Sequence, residues 1–509
     1  MPLAVIDVYH QFHFEILQSL ILNKGLDIRY IISGVNDNFH GDKDVINSII
    51  QSHLADIQIE TIDDFLFPEN LIDFINESYK LTNTDLDNYA ELELLFLKLS
   101  DRSTANAISV QNRRKYYFLL LNHFINILDK YNINQLLCFD TPHSFFSSLL
   151  YHLALKKNIS IIRIEYHYFS NYCLVVNTPQ FPKIPENYRK DDNEQILRDS
   201  LSLQLLAQLN NKSSFAESYI VKEQKKLTSV SILGEGKMFF QFLFKYISNI
   251  IIGLFPFIYK KHIHHFTSLT GKKSELRYRV DINKALIKLY QLNKHYKKIA
   301  QESDLSVPYI YYGMHMQPEK TTTPLGGHFD NQLAAITILS QSLPNGWKLL
   351  VKEHPNQFNF RKVANQSVRD IYFYKAIQKL ANVELVSLNL PSSELIKKAR
   401  MVATITGTLG WESLMAGKPA LVFGDAYYRA CTAVGNISDL SSCKAEILRL
   451  SEIDAKTISK AVLRYLAYYH EMGIIVEASN WESKVNHSSL ERKDQIKNLI
   501  ESINNFSVE

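Results

Sequence analysis

The sequence of 509 residues contains little cysteine, glycine or proline, and each shortage excludes a class of protein. Its four cysteines stand singly, without a CxxC pair, so the pattern indicates neither a zinc site nor a disulfide framework. With 17 glycines and 14 prolines, collagen-like and low-complexity chains are excluded. We therefore expect a globular protein whose thiols stay reduced.

Excess charge and a targeting segment are also missing. The net charge is +4, so the chain as a whole is not expected to bind nucleic acid. The opening residues, MPLAVID, lack the basic region and long apolar core of a signal peptide. These features predict a cytoplasmic protein, and the length predicts more than one domain.

Short apolar runs alternate with helical periodicity in two separate parts of the chain. The first part has strand-like runs at 3–9, 28–33, 135–139 and 159–164. The second part has them at 309–313, 347–352, 383–387, 401–405 and 420–424. Strands that alternate with helices predict doubly wound parallel sheets that bind ligands at the carboxyl ends of their strands. We predict an N-terminal domain over 1–190, an insert over 191–300 and a C-terminal domain with closing helices over 301–509.

The insert is predicted to be helical and to meet a membrane. Residues 238–259 are strongly apolar, and 260–298 hold eleven Lys or Arg against two acidic residues. The apolar run is long enough to cross a bilayer. However, Gln241, Lys245 and Asn249 fall on one face of a helix, which favours a helix lying on anionic lipid. A span and a buried interdomain helix remain the alternatives.

Two segments of the C-terminal half combine a strand end with polar residues. Lys352-Glu353-His354-Pro355 follows the run WKLLV. The proline keeps His354 out of a helix, so the imidazole can donate to a phosphate oxygen at the strand tip. Lys352 can offset charge on a leaving phosphate. The alternative for His354 is an ordinary loop histidine.

The second segment runs from the strand MVATI through a Gly- and Thr-rich turn into the helix LGWESLMAG. A helix N-terminus presents amide groups to an anion, and Gly407 and Gly410 allow the backbone to approach it. Thr406 and Thr408 add hydroxyl donors. Glu412 is placed to accept from a ribose hydroxyl or a base amine. The alternative is that Thr408 merely caps the helix.

Further carboxylates and amides follow other strands. Gln317, Glu319 and Asp330 come after the first strand of the second half, where loops commonly hold ligand. Gln317 and Glu319 are predicted to bind the nucleotide-sugar, with an exposed loop carboxylate as the alternative for Glu319. Asp330 is equally well explained as a helix cap. In the N-terminal half, Asp140 and Glu165 each follow a strand. Either is predicted to be catalytic, as a general base or a nucleophile, while Asp140 has helix capping as its alternative.

The run YYGMHMQPE…TTPLGGHFDNQ…LPNGWKLLVKEHP…TITGTLGWESLMAGKPALVFGDAYY resembles the capsule polysaccharide biosynthesis family over about 307–437. That family includes bacterial transferases of Kdo from CMP-Kdo. The resemblance implies a GT-B-like α/β fold, with two Rossmann-like domains facing a cleft. It also implies a set of nucleotide-binding residues: His354, Pro355, Thr406, Thr408, Gly410 and Glu412. Kdo-transferring relatives often carry an acidic-glycine motif where this chain reads Glu165-Tyr166-His167-Tyr168.

The resemblance therefore implies a glycosyltransferase with an acceptor-side domain over 1–190 and a nucleotide-sugar domain over 301–509. Its substrates would be a nucleotide-sugar donor, CMP-linked, and a glycan or glycolipid acceptor. We expect no metal and no other cofactor, and peripheral association with the inner membrane through 238–298. Alternatives are a UDP-GlcNAc 2-epimerase-like enzyme, a CDP-alditol phosphotransferase-like enzyme, and a non-catalytic partner in polysaccharide assembly or export.

Overall fold

A computed structural model describes most of the chain. The described residues are 2–8, 11–22, 26–33, 57–61, 65, 77–104, 109–166, 172–185, 188, 240, 243–251, 275–358, 368–476 and 491–507. Within them the protein forms two α/β units, each built around its own sheet. The predicted class of two doubly wound units is confirmed.

The first sheet has the order β3-β2-β1-β4-β5-β6-β13 in the described part of the chain. Its strands are β1 (Pro2–Val8), β2 (Asp27–Ser33), β3 (Gln58–Thr61), β4 (Gln135–Cys138), β5 (Ser160–Tyr166), β6 (Tyr172–Val176) and β13 (Ile474–Ile475). The five strands β1 to β5 run parallel to one another, whereas β6 is antiparallel to both of its neighbours, β5 and β13. The chain order reverses between β1 and β4, which places a ligand crevice at their carboxyl ends.

Helices cover both faces of this sheet. They are α1 (Gln11–Leu22), α2 (Asn83–Asn88), α3 (Ala90–Thr104), α4 (Val110–Lys130) and α5 (Phe145–Lys156). α3, α4 and α5 bury one face in a core that includes Phe96, Phe124 and Leu150. α1 buries the other face, with Phe12 and Leu17 packed on Leu137. The period-2 alternation along each strand supplies apolar side chains to both cores.

A charged cluster lies buried beneath α4. His123 on α4 is 1% exposed, and its two ring nitrogens lie 3.0 Å from Glu60 and 2.6 Å from Glu77. Burial alone would lower the pKa of His123, but the hydrogen bonds to these two carboxylates raise it to about 9. The cluster thus holds β3 against the domain through an imidazolium between two carboxylates.

The second sheet is entirely parallel, with the order β12-β11-β10-β7-β8-β9. Its strands are β7 (Tyr309–Gly313), β8 (Lys348–Lys352), β9 (Val383–Leu385), β10 (Met401–Thr404), β11 (Ala420–Val422) and β12 (Val434–Asn436). The first five lie where the apolar runs predict them, to within two residues at either end. Here the order reverses between β7 and β10.

The helices of the second unit follow its strands. They are α6 (Glu275–Ile299), α7 (Gln332–Ser342), α8 (Ile371–Gln378), α9 (Ser392–Lys398), α10 (Thr408–Met415), α11 (Leu440–Ser451) and α12 (Ala455–Met472). One face of the sheet packs in a core with Leu289, Ile336 and Tyr374, and the other packs on Leu395. A third core joins the two units, because Leu174 and Val176 of β6 pack with Trp411 and Tyr465.

The chain returns to the first unit at its C-terminal side. β13 pairs with β6, and α13 (Arg492–Ser507) buries Leu499 and Ile503 in the core that contains α1. Arg492 also lies 2.9 Å from Glu15 and stacks over Phe12 at 3.9 Å. The closing helices are predicted to belong to the C-terminal domain over 301–509, but α13 packs on the N-terminal sheet. The reason is that this face of the sheet has α1 and needs a second apolar cover.

Part of the apolar segment of the insert is described, as Phe240 and helical residues 243–251; the remainder of 238–259 lies outside the described residues. Asn249 is buried and donates to Asn283 of α6 at 3.1 Å. Phe244, Ile247 and Ile251 are 46–77% exposed. Asn249 of the predicted polar stripe therefore faces the protein, while these apolar residues face outward. None of the described helices is both long and apolar enough to span a membrane.

Candidate active site

The turn after β10 lies at the point where the strand order of the second sheet reverses. Gly407 is the N-cap residue of α10 and has no side chain to cap the helix. The leading amide groups of α10, at Thr408 and Leu409, therefore have no intrahelical acceptor and are placed to bind an anion. The amides before them are used internally: that of Thr406 donates to His315 at 3.2 Å, and that of Gly407 to the Thr404 hydroxyl at 3.3 Å.

Both glycines of the turn are required by side-chain packing. The sequence predicts a different reason for them, the approach of the backbone to an anion. A Cβ on Gly410 would lie 2.1 Å from the Tyr428 hydroxyl, and one on Gly407 would lie 2.8 Å from the Thr404 hydroxyl. The buried Tyr428 donates to the Gly407 carbonyl at 2.5 Å. The small residues therefore admit the side chains that hold the turn, and the close approach of a ligand to this backbone stays a prediction.

The hydroxyl groups of the turn have separate partners. Thr406 is buried and donates through its hydroxyl to the Thr321 carbonyl at 2.6 Å. Thr408 is exposed, and its hydroxyl lies 3.5 Å from Glu412. Thr408 thus remains placed for a ligand, whereas Thr406 ties the turn to the preceding loop.

Glu412 lies on the first turn of α10. Its side chain is reached by solvent, yet protein surrounds its carboxyl group closely enough to raise its pKa to about 7. Desolvation depends on the protein volume around the carboxyl group as well as on its exposed surface, so this crowding raises the pKa of Glu412 although solvent reaches the side chain. A carboxyl group that is both accessible and crowded is what the wall of a cleft provides.

His354 follows β8, as predicted, and is half-buried. Its Nδ1 accepts from the Asn356 amide at 3.1 Å, so in the neutral imidazole the proton resides on Nε2. Pro355 opens a short 3-10 helix, Pro355–Phe358, which supplies that amide. The geometry leaves His354 with a donor nitrogen, as binding to a phosphate oxygen requires.

Lys352, predicted to offset charge on a leaving phosphate, has two partners within the C-terminal unit. Its ammonium group is buried and donates to the Leu390 carbonyl at 2.6 Å and lies 3.3 Å from the Ser392 hydroxyl. Burial lowers its pKa to about 8. These contacts direct the group toward the start of α9, on the face of the sheet that carries Leu350 and Leu395.

A buried polar network, which sequence analysis misses, supports His354 from below. Arg369 is 2% exposed, lies 2.8 Å from Glu353 and donates to Gln317 at 2.6 Å. Gln317 is also buried and accepts from Gln332 at 2.7 Å. Gln317, predicted to bind the nucleotide, is therefore occupied in holding the loop. Tyr374 donates to Glu353 at 2.7 Å and completes the network.

The loop between β7 and α7 carries the remaining predicted residues. Glu319 is half-buried, and its carbonyl accepts from Thr322 and Thr323 in a tight turn. Asp330 forms an ion pair at 2.6 Å with Lys98 of the N-terminal unit. Asn331, not Asp330, caps α7, so the capping alternative for Asp330 is wrong.

The structure brings the two N-terminal carboxylates together. Thr141 donates its amide to Asp140 at 2.8 Å and its hydroxyl to Glu165 at 2.7 Å. Glu165 is 3% exposed and lies 3.1 Å from Arg163. Ser144, rather than Asp140, caps the following helix, so Asp140 is not committed to that task.

Lys320 of the C-terminal unit reaches this acidic pair across the domain boundary. Its ammonium group lies 2.5 Å from Asp140. Burial acts to raise the pKa of Asp140, but the charges of Lys320 and His143 lower it overall. Burial raises the pKa of Glu165 despite Arg163 nearby. The two carboxyl groups therefore differ in basicity, the arrangement that acid–base chemistry uses.

One loop joins the two halves of the site. Lys320 pairs with Asp140, and the adjacent Thr321 accepts from the Thr406 hydroxyl of the turn. The carboxyl ends of both sheets thus meet through this loop. Among the described residues no cluster of three or more His, Cys, Asp or Glu forms a metal site.

Comparison with known proteins gives one family match. Residues 247–471 match the model of the capsule polysaccharide biosynthesis protein family, which confirms the resemblance. No curated protein matches the sequence.

Comparison with solved structures gives matches of low identity and low TM-score. One is KpsC of Thermosulfurimonas dismutans, a β-Kdo 2,7 transferase, with 12% identity over 66% of this chain and 88% of that chain, TM-score 0.26. Another is UDP-GlcNAc 2-epimerase of Methanocaldococcus jannaschii, with 8% identity over 92% and 100%, TM-score 0.23. A third is the glycotransferase of kitacinnamycin, with 11% identity over 92% and 95%, TM-score 0.24. Likenesses of this size carry no argument about the fold or the reaction.

Proposed function

We propose that the chain is a glycosyltransferase of bacterial surface-polysaccharide synthesis, because residues 247–471 match the model of the capsule polysaccharide biosynthesis protein family. The observation that carries the proposal is the loop 314–327. Its Lys320 pairs with Asp140 of one unit, while its Thr321 bonds Thr406 beside the open end of α10. A donor held at α10 therefore lies next to carboxylates of the opposite unit, as transfer across a cleft requires.

In the proposed reaction the donor phosphate binds the leading amides of α10 and the Nε2–H of His354. Glu165 or Asp140 takes the proton of the acceptor hydroxyl as the new C–O bond forms. The leaving phosphate takes the electrons of the broken C–O bond, and Lys320 offsets its charge. Alternatively, one carboxylate attacks the sugar first as a nucleophile and is then displaced by the acceptor.

The charges of the site support a donor that leaves as a nucleoside monophosphate, such as a CMP-linked ulosonate. Lys320 is a cation beside the turn, since the adjacent Thr321 bonds Thr406. Lys352 and Arg369 are buried against other partners. One lysine, one imidazole and a helix N-terminus suit a single phosphate better than a diphosphate.

The catalytic part is tested by Glu165→Gln and Asp140→Asn. We expect turnover to fall roughly 10²–10⁴-fold for the residue that acts as base, with at least as large a loss for a nucleophile. Nucleotide affinity, measured by calorimetry, should stay unchanged, because neither residue contacts the nucleotide. Lys98→Met is the matched control, since it removes another cross-domain ion pair without altering the acidic pair. Normal turnover in both acidic variants would refute the assignment.

The donor is tested by thermal shift against CMP, CDP and UDP. Stabilisation by CMP alone supports the proposed donor. A response to UDP alone favours the epimerase-like alternative or a hexosyltransferase, and CDP alone favours the alditol phosphotransferase. No response to any nucleotide contradicts the proposal and favours a non-catalytic role in assembly or export.

We also propose that the enzyme works on the cytoplasmic surface of the inner membrane, where a glycolipid acceptor would lie. The support is the outward apolar face of residues 243–251, formed by Phe244, Ile247 and Ile251. Beside it, α6 exposes Lys284 and Lys288 one turn apart. Apolar side chains flanked by lysines fit the interface of an anionic bilayer.

Vesicle flotation tests this surface. We expect the protein to float with vesicles containing phosphatidylglycerol and to be partly released by high salt, because screening weakens the lysine contribution. Phe244→Asp should abolish flotation and leave nucleotide binding unchanged. Tyr372→Asp is the control, because Tyr372 is equally exposed, at 76%, on α8. Unchanged flotation of Phe244→Asp would contradict the proposed surface.

A further inference from the structure

His315 occupies the reversal point of the second sheet, directly after β7, and sequence analysis assigns it no role. It is 7% exposed, and its backbone is fixed on both sides. Its amide donates to Gln332 at 2.8 Å, and its carbonyl accepts from Gln332 at 3.0 Å and from Arg369 at 3.2 Å. The imidazole therefore has one position, set by the buried network beneath the site.

The contacts of the ring determine its tautomer. A backbone amide can only donate, and the Thr406 amide points at Nε2 from 3.2 Å. Nε2 must therefore be an acceptor, so the proton lies on Nδ1, which is 3.2 Å from the Thr321 hydroxyl. The Thr404 hydroxyl, 2.9 Å from Nε2, also donates to it. Burial, with the charges of His354 and Arg369 nearby, lowers the pKa of His315 to about 3.

These bonds join the two backbone segments of the candidate donor site. On one side are the amides of Thr406 and, through Thr404, Gly407, which precede α10. On the other is Thr321, the neighbour of Lys320. A Cβ on Gly407 would also lie 3.1 Å from the imidazole Cε1, so the ring packs directly against the turn.

We propose that His315 is a positioning residue for donor binding. Its neutral imidazole accepts from the turn and donates to the loop, so that the leading amides of α10 and the ammonium group of Lys320 converge on one donor phosphate. The inference rests on the proposed function for its kinetic consequence. Its structural content, a permanently neutral ring with the proton on Nδ1, is independent of the reaction.

The variants His315→Leu and His315→Gln separate the effect of the hydrogen-bond acceptor from the effect of side-chain volume. Leucine fills the space but leaves the Thr406 amide without an acceptor, whereas the glutamine carbonyl can replace Nε2. For His315→Leu we expect the donor KM and the Kd of CMP to rise about 10- to 100-fold, from the loss of a buried hydrogen-bond acceptor, with a smaller change in kcat. His315→Gln should recover most of the affinity. His328→Leu is the control, because His328 is exposed on the same loop.

A KM unchanged in His315→Leu, or a glutamine variant as impaired as the leucine variant, would overturn the proposal. Failure of the wild-type protein to bind CMP, CDP or UDP would instead count against the proposed function. The ring itself is then tested by ¹⁵N NMR of histidine-labelled protein, using the signals that disappear in His315→Gln. We expect a proton on Nδ1 and no titration from pH 5 to 8. A proton on Nε2, or a pKa within that range, would overturn the proposed hydrogen bonding of the His315 ring, whatever the protein binds.

Discussion

Protonation of Glu412 should weaken nucleotide binding within the neutral pH range. The carboxylate, as proposed, accepts from a ribose hydroxyl or a base amine, and a protonated carboxyl group loses part of that capacity. Because burial raises the pKa of Glu412 to about 7, the group is mostly ionised above pH 7 and mostly neutral below it. Affinity is therefore expected to rise as the pH rises through 7.

The size of the effect follows from the fraction of Glu412 that is ionised. With a pKa of about 7, that fraction is about 0.9 at pH 8 and about 0.1 at pH 6. If the carboxylate form is the one that binds, the Kd of CMP at pH 6 should be about tenfold higher than at pH 8. An ordinary glutamate, with a pKa near 4.5, would produce no change over this interval.

Calorimetry with CMP at pH 6, 7 and 8 measures this effect in the wild-type protein and in Glu412→Gln. The variant is the necessary control, because the phosphate of the nucleotide itself titrates near pH 6. We expect the variant to bind weakly at every pH and to retain only the pH dependence that belongs to CMP. An identical pH dependence in both proteins, or wild-type affinity in the variant, would show that Glu412 does not bind the nucleotide.

Three further changes test individual contacts. Gly410→Ala should destabilise the protein by about 1–3 kcal/mol in denaturant unfolding, because its Cβ meets the buried Tyr428 hydroxyl at 2.1 Å; wild-type stability would contradict this packing. Replacing His123 by Gln should cost about 3 kcal/mol at pH 6, a contribution fully present below pH 6.5 and lost as the pH rises through 9. Unfolding followed by circular dichroism at pH 6, 7.5 and 9.5 measures this loss of stability. A loss that is equal at the three pH values would count against the charged cluster around His123. Lys352→Met should leave the Kd of CMP unchanged by calorimetry, and a clear loss of affinity would return Lys352 to the site.

Much of the second unit could be predicted because its strands are short apolar runs and its turns are rich in Gly, Thr and Pro. The segments after β8 and β10 lie at strand ends, as expected of loops that alternate with buried strands. β6 and β12 were harder to predict, because their sequences, YCLVV and VGN, are too short to be distinguished from a helix or a loop by periodicity. The antiparallel edge of the first sheet also has no local signal, because strand direction depends on tertiary pairing.

The buried hydrogen bonds and ion pairs that support the site could not be predicted either, because they too depend on tertiary contacts. Arg369 meets Glu353 across 16 residues, and His315 meets Thr406 across 91. Neither pairing has a periodic pattern in the sequence. The partners of a side chain at a strand end were equally hidden: the sequence places Lys352 beside His354 but does not show its contacts with Leu390 and Ser392.

The return of the chain to its first sheet affects the order in which the protein can be built. A ribosome delivers the strands of the N-terminal unit early, yet β13 and α13, which cover the edge and one face of that sheet, emerge after the whole second unit. Synthesis at about 5–20 residues per second leaves the α1 face without α13 for tens of seconds. The second unit, which is continuous from α6 to α12, can fold during that wait. The domain synthesised first is thus completed last, and during this interval its uncovered apolar face is open to chaperones.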